Sequence, residues 1–264
     1  MELERTVADL LEKTERRFYG KYRGRVVDNR DPARLGRLRA SVPSILGPDV
    51  VTGWATPCVP YGGSADQGFL FVPDRDAGVW VEFEEGDLEF PIWAGTYWTR
   101  PDSKSQLPTP QATDGSSTAD VQDPPTRKII KTSKGHTVQF EDADGEESVL
   151  VREGRHGHRI TMDGKGLALV DERNNTIVFD EDGIEVTDAT GSSIRMTDSA
   201  VTLVDSRSNT VELSAAGIAL TDTTGNSFTM TDSAMTLRAI VPFSIDASGQ
   251  TVTIIADGID LKKG

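Results

Sequence analysis

A seventeen-residue repeat runs through the second half of this 264-residue chain and constrains its fold more than any other feature. Apolar pairs recur with this period from residue 160, and a second series begins seven residues after the start of each first pair. A small residue precedes each second pair, at Gly166, Gly183, Ala200, Gly217 and Ala234, where we expect the backbone to turn or to lie close to another chain. The twenty apolar positions are Ile160, Met162, Leu167, Leu169, Ile177, Phe179, Ile184, Val186, Ile194, Met196, Val201, Leu203, Val211, Leu213, Ile218, Leu220, Phe228, Met230, Met235 and Leu237. A fixed period of this kind is typical of stacked structural units.

Each repeat predicts two short β-strands with only two inward apolar side chains per strand. A single-chain β-helix needs a wider coil than seventeen residues provide. Three chains wound around one axis would fill that narrow axis with apolar side chains if each strand paired with strands of other chains. We therefore predict that residues 127–264 form an intertwined, trimeric triple-stranded β-helix whose core is the twenty apolar residues. A single-chain β-solenoid is the alternative.

Imperfect copies flank the regular repeats. One has the pairs Val138/Phe140 and Val149/Val151, and the other has Val252/Ile254 and Ile259/Leu261 after a seven-residue insertion. Terminal units of stacked architectures are commonly irregular. With these copies, fourteen strands spaced about 4.8 Å apart would make a needle about 65 Å long.

The first half of the chain has a different pattern. Residues 20–100 follow a period of two, in short segments bounded by glycine, proline, asparagine or aspartate. In the segment GVWVEFEEGD, Val79, Val81 and Phe83 face one way and the residues between them face the other. About five such strands predict a small β-barrel.

Two further segments complete the predicted, mainly β organisation. Residues 1–19 predict an amphipathic helix whose apolar side contacts a neighbouring domain, subunit or partner. Its apolar residues are Leu3, Val7, Leu10, Leu11 and Phe18. Residues 101–126 contain five prolines and predict an extended linker or an ordered strap on a subunit surface.

Charge and cysteine content exclude several classes of protein. The net charge is −14, and residues 101–264 hold 26 acidic side chains against 15 basic ones, which argues against a nucleic-acid partner because phosphate binding needs clustered Lys and Arg. The lone Cys58 excludes an intrachain disulfide framework. The first eighteen residues lack the pattern of a secretory signal, so we expect synthesis in the cytoplasm without a signal peptide or membrane anchor.

Two stretches of the first half carry a family resemblance. They read YRGRVVDNRDPARLGRLRASVP at residues 22–43 and AGVWVEFEEGDLEFPIWAGTYW at residues 77–98. Together with the N-terminal helix and the strand repeats, they resemble the central spike proteins of contractile injection systems, which include phage baseplate assembly protein V and VgrG. In that family the first stretch is similar to the opening strands of an OB-fold, and the second is similar to its last two strands.

The resemblance implies a homotrimer with an OB-fold collar and a membrane-piercing needle that has no enzymatic activity. Such a spike caps the tube and organises the baseplate of a phage tail-like particle, either a virion or an injection apparatus. The implied partners are two further copies of the chain, tail-tube or hub proteins, baseplate components, a PAAR-like tip protein and the target membrane on firing. The lysozyme domain of some phage members and the large hub domain of many VgrG chains have no counterpart in this sequence.

Two other functions remain open at this point. A trimeric tail-fibre or adhesin stalk would share the needle but should end in a receptor-binding head. An oligonucleotide-binding OB module on a β-solenoid would use basic side chains such as Arg23, Arg25, Arg37 and Arg39. We favour this module least, because residues 20–100 hold nine basic side chains against eleven acidic ones.

His156 and His158 are weak candidates for metal ligands. They are alternate residues in phase with Ile160 and Met162, so three chains could place six imidazoles around an axial transition metal. Because the pair flanks Gly157 in an irregular repeat, we favour a polar turn and predict no cofactor.

Overall fold

The computed structural model describes residues 6–7, 17–118 and 124–262. The chain divides into two compact units, residues 1–107 and residues 108–264. β-Strands are the main secondary structure of both units, as the sequence predicts.

The described part of the first unit contains a five-stranded OB-like sheet with the strand order β2-β1-β4-β5-β3. Its elements are β1 (Tyr22–Asp28), β2 (Arg39–Ser41), α1 (Pro43–Leu46), β3 (Thr56–Pro57), β4 (Gly78–Phe83) and β5 (Pro91–Tyr97). Strands β3 and β5 pair in parallel, and the other neighbours are antiparallel. Single 3₁₀ turns lie at Glu84–Gly86 and Pro101–Ser103.

The first unit has a hydrophobic core of its own. Val79, Val81 and Phe83 are buried and alternate along β4 with half-buried residues, which confirms the predicted period of two. The buried cluster consists of Val26, Leu38, Ala40, Val42, Ala55, Val79, Val81, Phe83 and Trp93. Full burial of a large apolar side chain contributes about 1.5–3 kcal/mol, so this cluster is sufficient to organise a small barrel.

Asp31 holds the loop between β1 and β2. Its carboxylate accepts hydrogen bonds from the backbone N–H groups of Leu35 and Arg37, and the Arg37 guanidinium donates to it at 2.7 Å. That guanidinium holds the pKa of the Asp31 carboxyl well below its usual range. Trp93 Nε1 donates to the carbonyl of Gly36 at 3.1 Å, which joins the loop to the core.

Only part of the predicted N-terminal helix lies within the described residues. Val7 is helical and 47% exposed. Phe18 packs against the core of the first unit, with its ring centroid 6.5 Å from that of Phe83, so it contributes to the OB unit itself. The remaining members of the predicted apolar set lie outside the described residues: Leu3, Leu10 and Leu11.

The second unit is built on one long antiparallel sheet, which contains thirteen strands among the described residues. The strands are β6 (Arg127–Lys131), β7 (Thr137–Glu141), β8 (Ser148–Arg152), β9 (Arg159–Asp163), β10 (Gly166–Val170), β11 (Thr176–Asp180), β12 (Gly183–Thr187), β13 (Ser193–Met196), β14 (Ala200–Val204), β15 (Thr210–Ser214), β16 (Gly217–Thr221), β17 (Ser227–Met230) and β18 (Met235–Arg238). They follow one another across the sheet in chain order, so every strand pairs with its neighbours in sequence.

This order differs from the expectation that each strand pairs with strands of other chains. The backbone hydrogen bonds between neighbouring strands form within one chain. The physical reason is the length of the connections, which are two to six residues long, and such short connections join adjacent antiparallel strands. Other chains are therefore left to pack against a face of the sheet.

The last imperfect copy of the repeat forms no strand among the described residues up to 262. Residues 239–262 follow β18 without regular structure, and their apolar side chains are exposed. Pro242 lacks the N–H that a strand position needs, although Val252 and Ile254 still follow Met235 and Leu237 by seventeen residues. The sheet therefore stops one unit earlier than predicted.

Part of the segment predicted as a linker is ordered on the second unit. Gln111 exchanges two hydrogen bonds with the side chain of Gln139, whose amide donates at 2.6 Å to the Gln111 carbonyl. Leu150 pairs with Gln139 across the sheet, and it is 1% exposed. Residues 108–118 therefore form a strap over one face of the first strands.

No helix among the described residues is long and apolar enough to span a bilayer.

Candidate trimer interface

The twenty repeated apolar residues lie on one face of the long sheet, in two rows that cross it from β9 to β18. Antiparallel register places each residue opposite its counterparts on both neighbouring strands. One row is Ile160, Leu169, Ile177, Val186, Ile194, Leu203, Val211, Leu220, Phe228 and Leu237, and the other is Met162, Leu167, Phe179, Ile184, Met196, Val201, Leu213, Ile218, Met230 and Met235. We call this surface the apolar face.

Within one chain the apolar face is open to solvent. Twelve of its twenty residues are exposed, from 36% at Ile177 to 69% at Met235, and the other eight are half-buried. Soluble proteins rarely leave so large a contiguous apolar surface uncovered, and such surfaces mark contacts with other molecules. The face is therefore a candidate interface.

The opposite face of the same strands is mixed in composition. Val178 of β11 stands opposite Glu185 of β12, which in turn stands opposite Arg195 of β13. Thr161, Ala168, Thr202, Glu212, Ala219, Thr229 and Thr236 continue this row across the sheet. Threonine suits a strand and tolerates water, so this face is compatible with solvent over most of its length.

Glycines form the short turns along one side of the sheet. Gly166, Gly183 and Gly217 have φ values of +136°, +138° and +124°, which L-residues rarely adopt. A Cβ on Gly166 would overlap the carbonyl oxygen of Phe179 on β11. The close approach predicted for these small residues is confirmed at the three glycines, although the neighbouring strand belongs to the same chain.

Alanine occupies the equivalent position in the other short turns for a different reason. Thr197 Oγ1 accepts a hydrogen bond from the backbone N–H of Ala200 at 3.1 Å, and Thr231 Oγ1 accepts one from Ala234 at 3.0 Å. A threonine hydroxyl thus closes these turns, and no left-handed residue is needed.

Aspartates organise the long turns on the other side of the sheet. Each of four five-residue turns begins with an aspartate whose Oδ1 accepts the backbone N–H groups two and four residues further on. These aspartates are Asp171, Asp188, Asp205 and Asp222. Hydrogen bonds from neighbouring side chains and backbone groups lower all four pKa values; for Asp222, donation by Thr224 and then Asn226 lowers the pKa to about 2.

Asparagines link successive long turns. Asn175, Asn209 and Asn226 donate from Nδ2 to the aspartate at the start of their own turn, at 2.6 to 2.8 Å. Their Oδ1 atoms accept a backbone N–H fourteen residues further on, as Asn226 does from Ile240 at 2.9 Å. Sequence analysis missed these residues, although an aspartate followed four residues later by asparagine or serine recurs every seventeen residues.

The two candidate histidines lie in the six-residue turn between β8 and β9. The ring centroids of His156 and His158 are 5.6 Å apart, and both side chains are exposed. Glu153 opens this turn and accepts backbone N–H groups, first that of His156 and then those of Arg155 and Gly157, which lowers its pKa to about 2. One chain thus brings the two imidazoles and a carboxylate together.

The arginines considered for oligonucleotide binding are engaged within the first unit. Arg23 stacks over the rings of Trp80 and Tyr97, 5.6 and 5.4 Å from their centroids. Arg37 pairs with Asp31, and Arg39 donates to a backbone carbonyl at 3.1 Å. These contacts hold the three side chains against the first unit.

Two family models match the chain. Residues 22–98 match the type VI secretion system/phage-baseplate injector OB domain, and residues 128–207 match the phage baseplate V C-terminal trimerisation domain. The chain belongs to the phage baseplate V family. No curated protein matches the chain.

The family assignment explains both units. Proteins of the phage baseplate V family are structural components of injection machinery, and the match to the first unit identifies its sheet as an OB domain. The match to the second unit identifies a trimerisation domain, which supports a homotrimer. It covers strands from β6 to β14, and the apolar rows continue beyond it to β18.

Proposed function

We propose that three copies of the chain form the central spike of a contractile injection system, such as a phage tail-like particle. The observation that carries this proposal is the apolar face, which one chain leaves exposed along ten strands. Three such faces turned towards a common axis would bury the twenty residues of each chain. The trimer then acts as a rigid needle with an OB collar.

The continuous pairing of the strands also supports a mechanical role. Neighbouring strands are hydrogen-bonded along the whole sheet, so a load along the needle is transmitted from each strand to the next. On firing, the needle meets the target membrane, while the collar caps the tube and organises the baseplate. Its partners in this role are tail-tube or hub proteins, baseplate components and a PAAR-like tip protein. The proposed role is mechanical and structural, and it involves no catalysis.

The OB match favours this function over a fibre or adhesin stalk, because it assigns the first unit to injector machinery. The contacts of Arg23, Arg37 and Arg39 disfavour the oligonucleotide-binding alternative.

Two lysine substitutions on adjacent residues of β11 test the proposed trimer. Ile177→Lys places a charge on the apolar face, whereas Val178→Lys places the same charge on the opposite face beside Glu185. Burying an unpaired charge costs several kcal/mol, so we expect Ile177→Lys to weaken association at least about a thousandfold. Light scattering should give three chains for the wild type and for Val178→Lys, and one chain for Ile177→Lys. A monomeric wild type, or an Ile177→Lys trimer, would overturn the proposal.

A further inference from the structure

We propose that Glu153, His156 and His158 form a binding site for one divalent transition-metal ion per chain, of the class that includes Zn²⁺. One ligand atom from each of these side chains lies within 4.8 Å of the other two. Two imidazole nitrogens and one carboxylate oxygen are a ligand set that Zn²⁺ and its neighbours in the first transition row accept.

The carboxylate is already positioned for this role. Glu153 Oε1 accepts one backbone N–H, from Arg155 at 2.8 Å, and Oε2 accepts those of His156 and Gly157. Each carboxylate oxygen offers more than one acceptor direction, so Oε1 retains a lone pair for a metal. Glu153 Oε2 lies 3.6 Å from His156 Nδ1. The backbone thus orients the carboxylate beside the imidazole.

Small side-chain movements would complete the coordination. Ligand atoms bound to one tetrahedral Zn²⁺ at about 2.1 Å are separated by roughly 3.4 Å, so separations of up to 4.8 Å must close by up to about 1.4 Å. Both imidazoles are exposed and can change rotamer without disturbing a core. The Arg152 guanidinium near Gly157 opposes a cation, so we expect a dissociation constant in about the micromolar range.

The repeat itself shows that this turn is specialised. His158 stands seventeen residues before Asn175, at the position where the regular long turns carry Asn or Ser. Glu153 opens the turn as Asp171 opens the next long turn, but the turn has six residues instead of five. The extra residue and the two histidines occur together, and neither recurs in the regular long turns. This site differs from the axial arrangement of six imidazoles, because one chain supplies the whole ligand set.

Zinc titration of the tag-free, EDTA-treated full chain tests the proposal. Isothermal calorimetry should give one Zn²⁺ per chain. His158→Asn installs the residue found at the equivalent position of the regular turns, so it should fold normally, and we expect it to bind Zn²⁺ at least tenfold more weakly. The matched control is His136→Asn, which removes the third histidine but keeps an acceptor for the Gly154 N–H that His136 Nδ1 now binds at 3.2 Å.

Three results would overturn the site: no binding at 100 µM added Zn²⁺ (about a hundredfold above the expected constant), equal affinity in the wild type and His158→Asn, or one ion per three chains. The last result would indicate an axial site between chains. A metal-dependent rise in thermal midpoint in the wild type and in His136→Asn, but not in His158→Asn, should accompany binding.

Discussion

At the scale of single residues, the four aspartates of the long turns show how a sheet can be shaped by charge without a salt bridge. Asp222 accepts from the backbone N–H groups of Thr224 and Asn226 at 2.9 Å and from the Asn226 side chain at 2.8 Å. Donors aimed at a carboxylate favour its ionised form, which is why the pKa falls. The negative charges of these four aspartates therefore stabilise the long turns.

Replacing Asp222 with asparagine should make one turn insensitive to acid. A depressed carboxyl pKa contributes stability above the unfolded value near 3.8, and this contribution is lost as the pH falls towards about 2. We expect Asp222→Asn to lower the thermal midpoint at pH 7, and the difference from wild type to shrink between pH 4 and pH 2. Glu172→Gln, which removes an equal charge from an exposed side chain in another turn, is the control. Parallel pH profiles for wild type and Asp222→Asn would contradict the expectation.

At the scale of elements, the short turns explain why strands follow one another in chain order. The β9–β10 connection contains only Gly164 and Lys165, and Gly166 then begins the next strand with a positive φ. This geometry brings β11 close to Gly166. Both the turn and the strand pairing therefore require a residue without a Cβ at this position.

Two alanine substitutions in this one turn separate the effect of backbone strain from that of a changed turn residue. Gly166→Ala requires a left-handed alanine and overlaps the carbonyl of Phe179, whereas a Cβ on Gly164 meets nothing within 4 Å. We expect Gly166→Ala to destabilise the second unit by about 2 kcal/mol or more per chain, and Gly164→Ala to change stability by less than about 0.5 kcal/mol. Urea unfolding followed by far-UV circular dichroism measures the free energy of unfolding of both variants. Equal losses of stability would contradict the prediction, because they would show that the strands accommodate a Cβ at position 166.

At the scale of the whole molecule, the two units differ in where their cores come from. The OB unit buries nine residues in its own cluster. The repeat unit leaves its apolar face exposed within one chain, and in the proposed trimer the other copies cover it. If the trimer covers this face, the stability of the repeat unit should depend on protein concentration, as it does in obligate oligomers.

We expect thermal unfolding to separate the two units. All four tryptophans, Trp54, Trp80, Trp93 and Trp98, belong to the first unit, so tryptophan fluorescence follows the OB domain alone. Its midpoint should not change with protein concentration. Far-UV circular dichroism should show a second transition that rises with concentration and that Ile177→Lys shifts downwards. A single transition that both probes report at every concentration would refute independent unfolding.

The sequence alone determined the strands of the regular repeats, their apolar positions and the places where the chain turns, although it also predicted a last strand pair that the described residues do not form. The period of two in β4 and the seventeen-residue spacing identify the buried positions of the barrel and all twenty residues of the apolar face. The glycines before the second pairs mark real constraints on φ. These features are local, because alternation and turn chemistry act over a few residues.

Only the tertiary structure decided which strands are neighbours and what covers each face. Pairing within one chain and pairing between chains place the same residues inwards, so apolar spacing cannot distinguish them. The strap formed by residues 108–118 and the packing of Phe18 on the OB core likewise depend on contacts with residues far along the chain. The sequence favoured a polar turn for the histidine pair, and only the tertiary structure shows that this turn places the pair beside Glu153. Periodicity and turns are encoded locally, whereas the packing of the strap and of Phe18 is set by residues far along the chain.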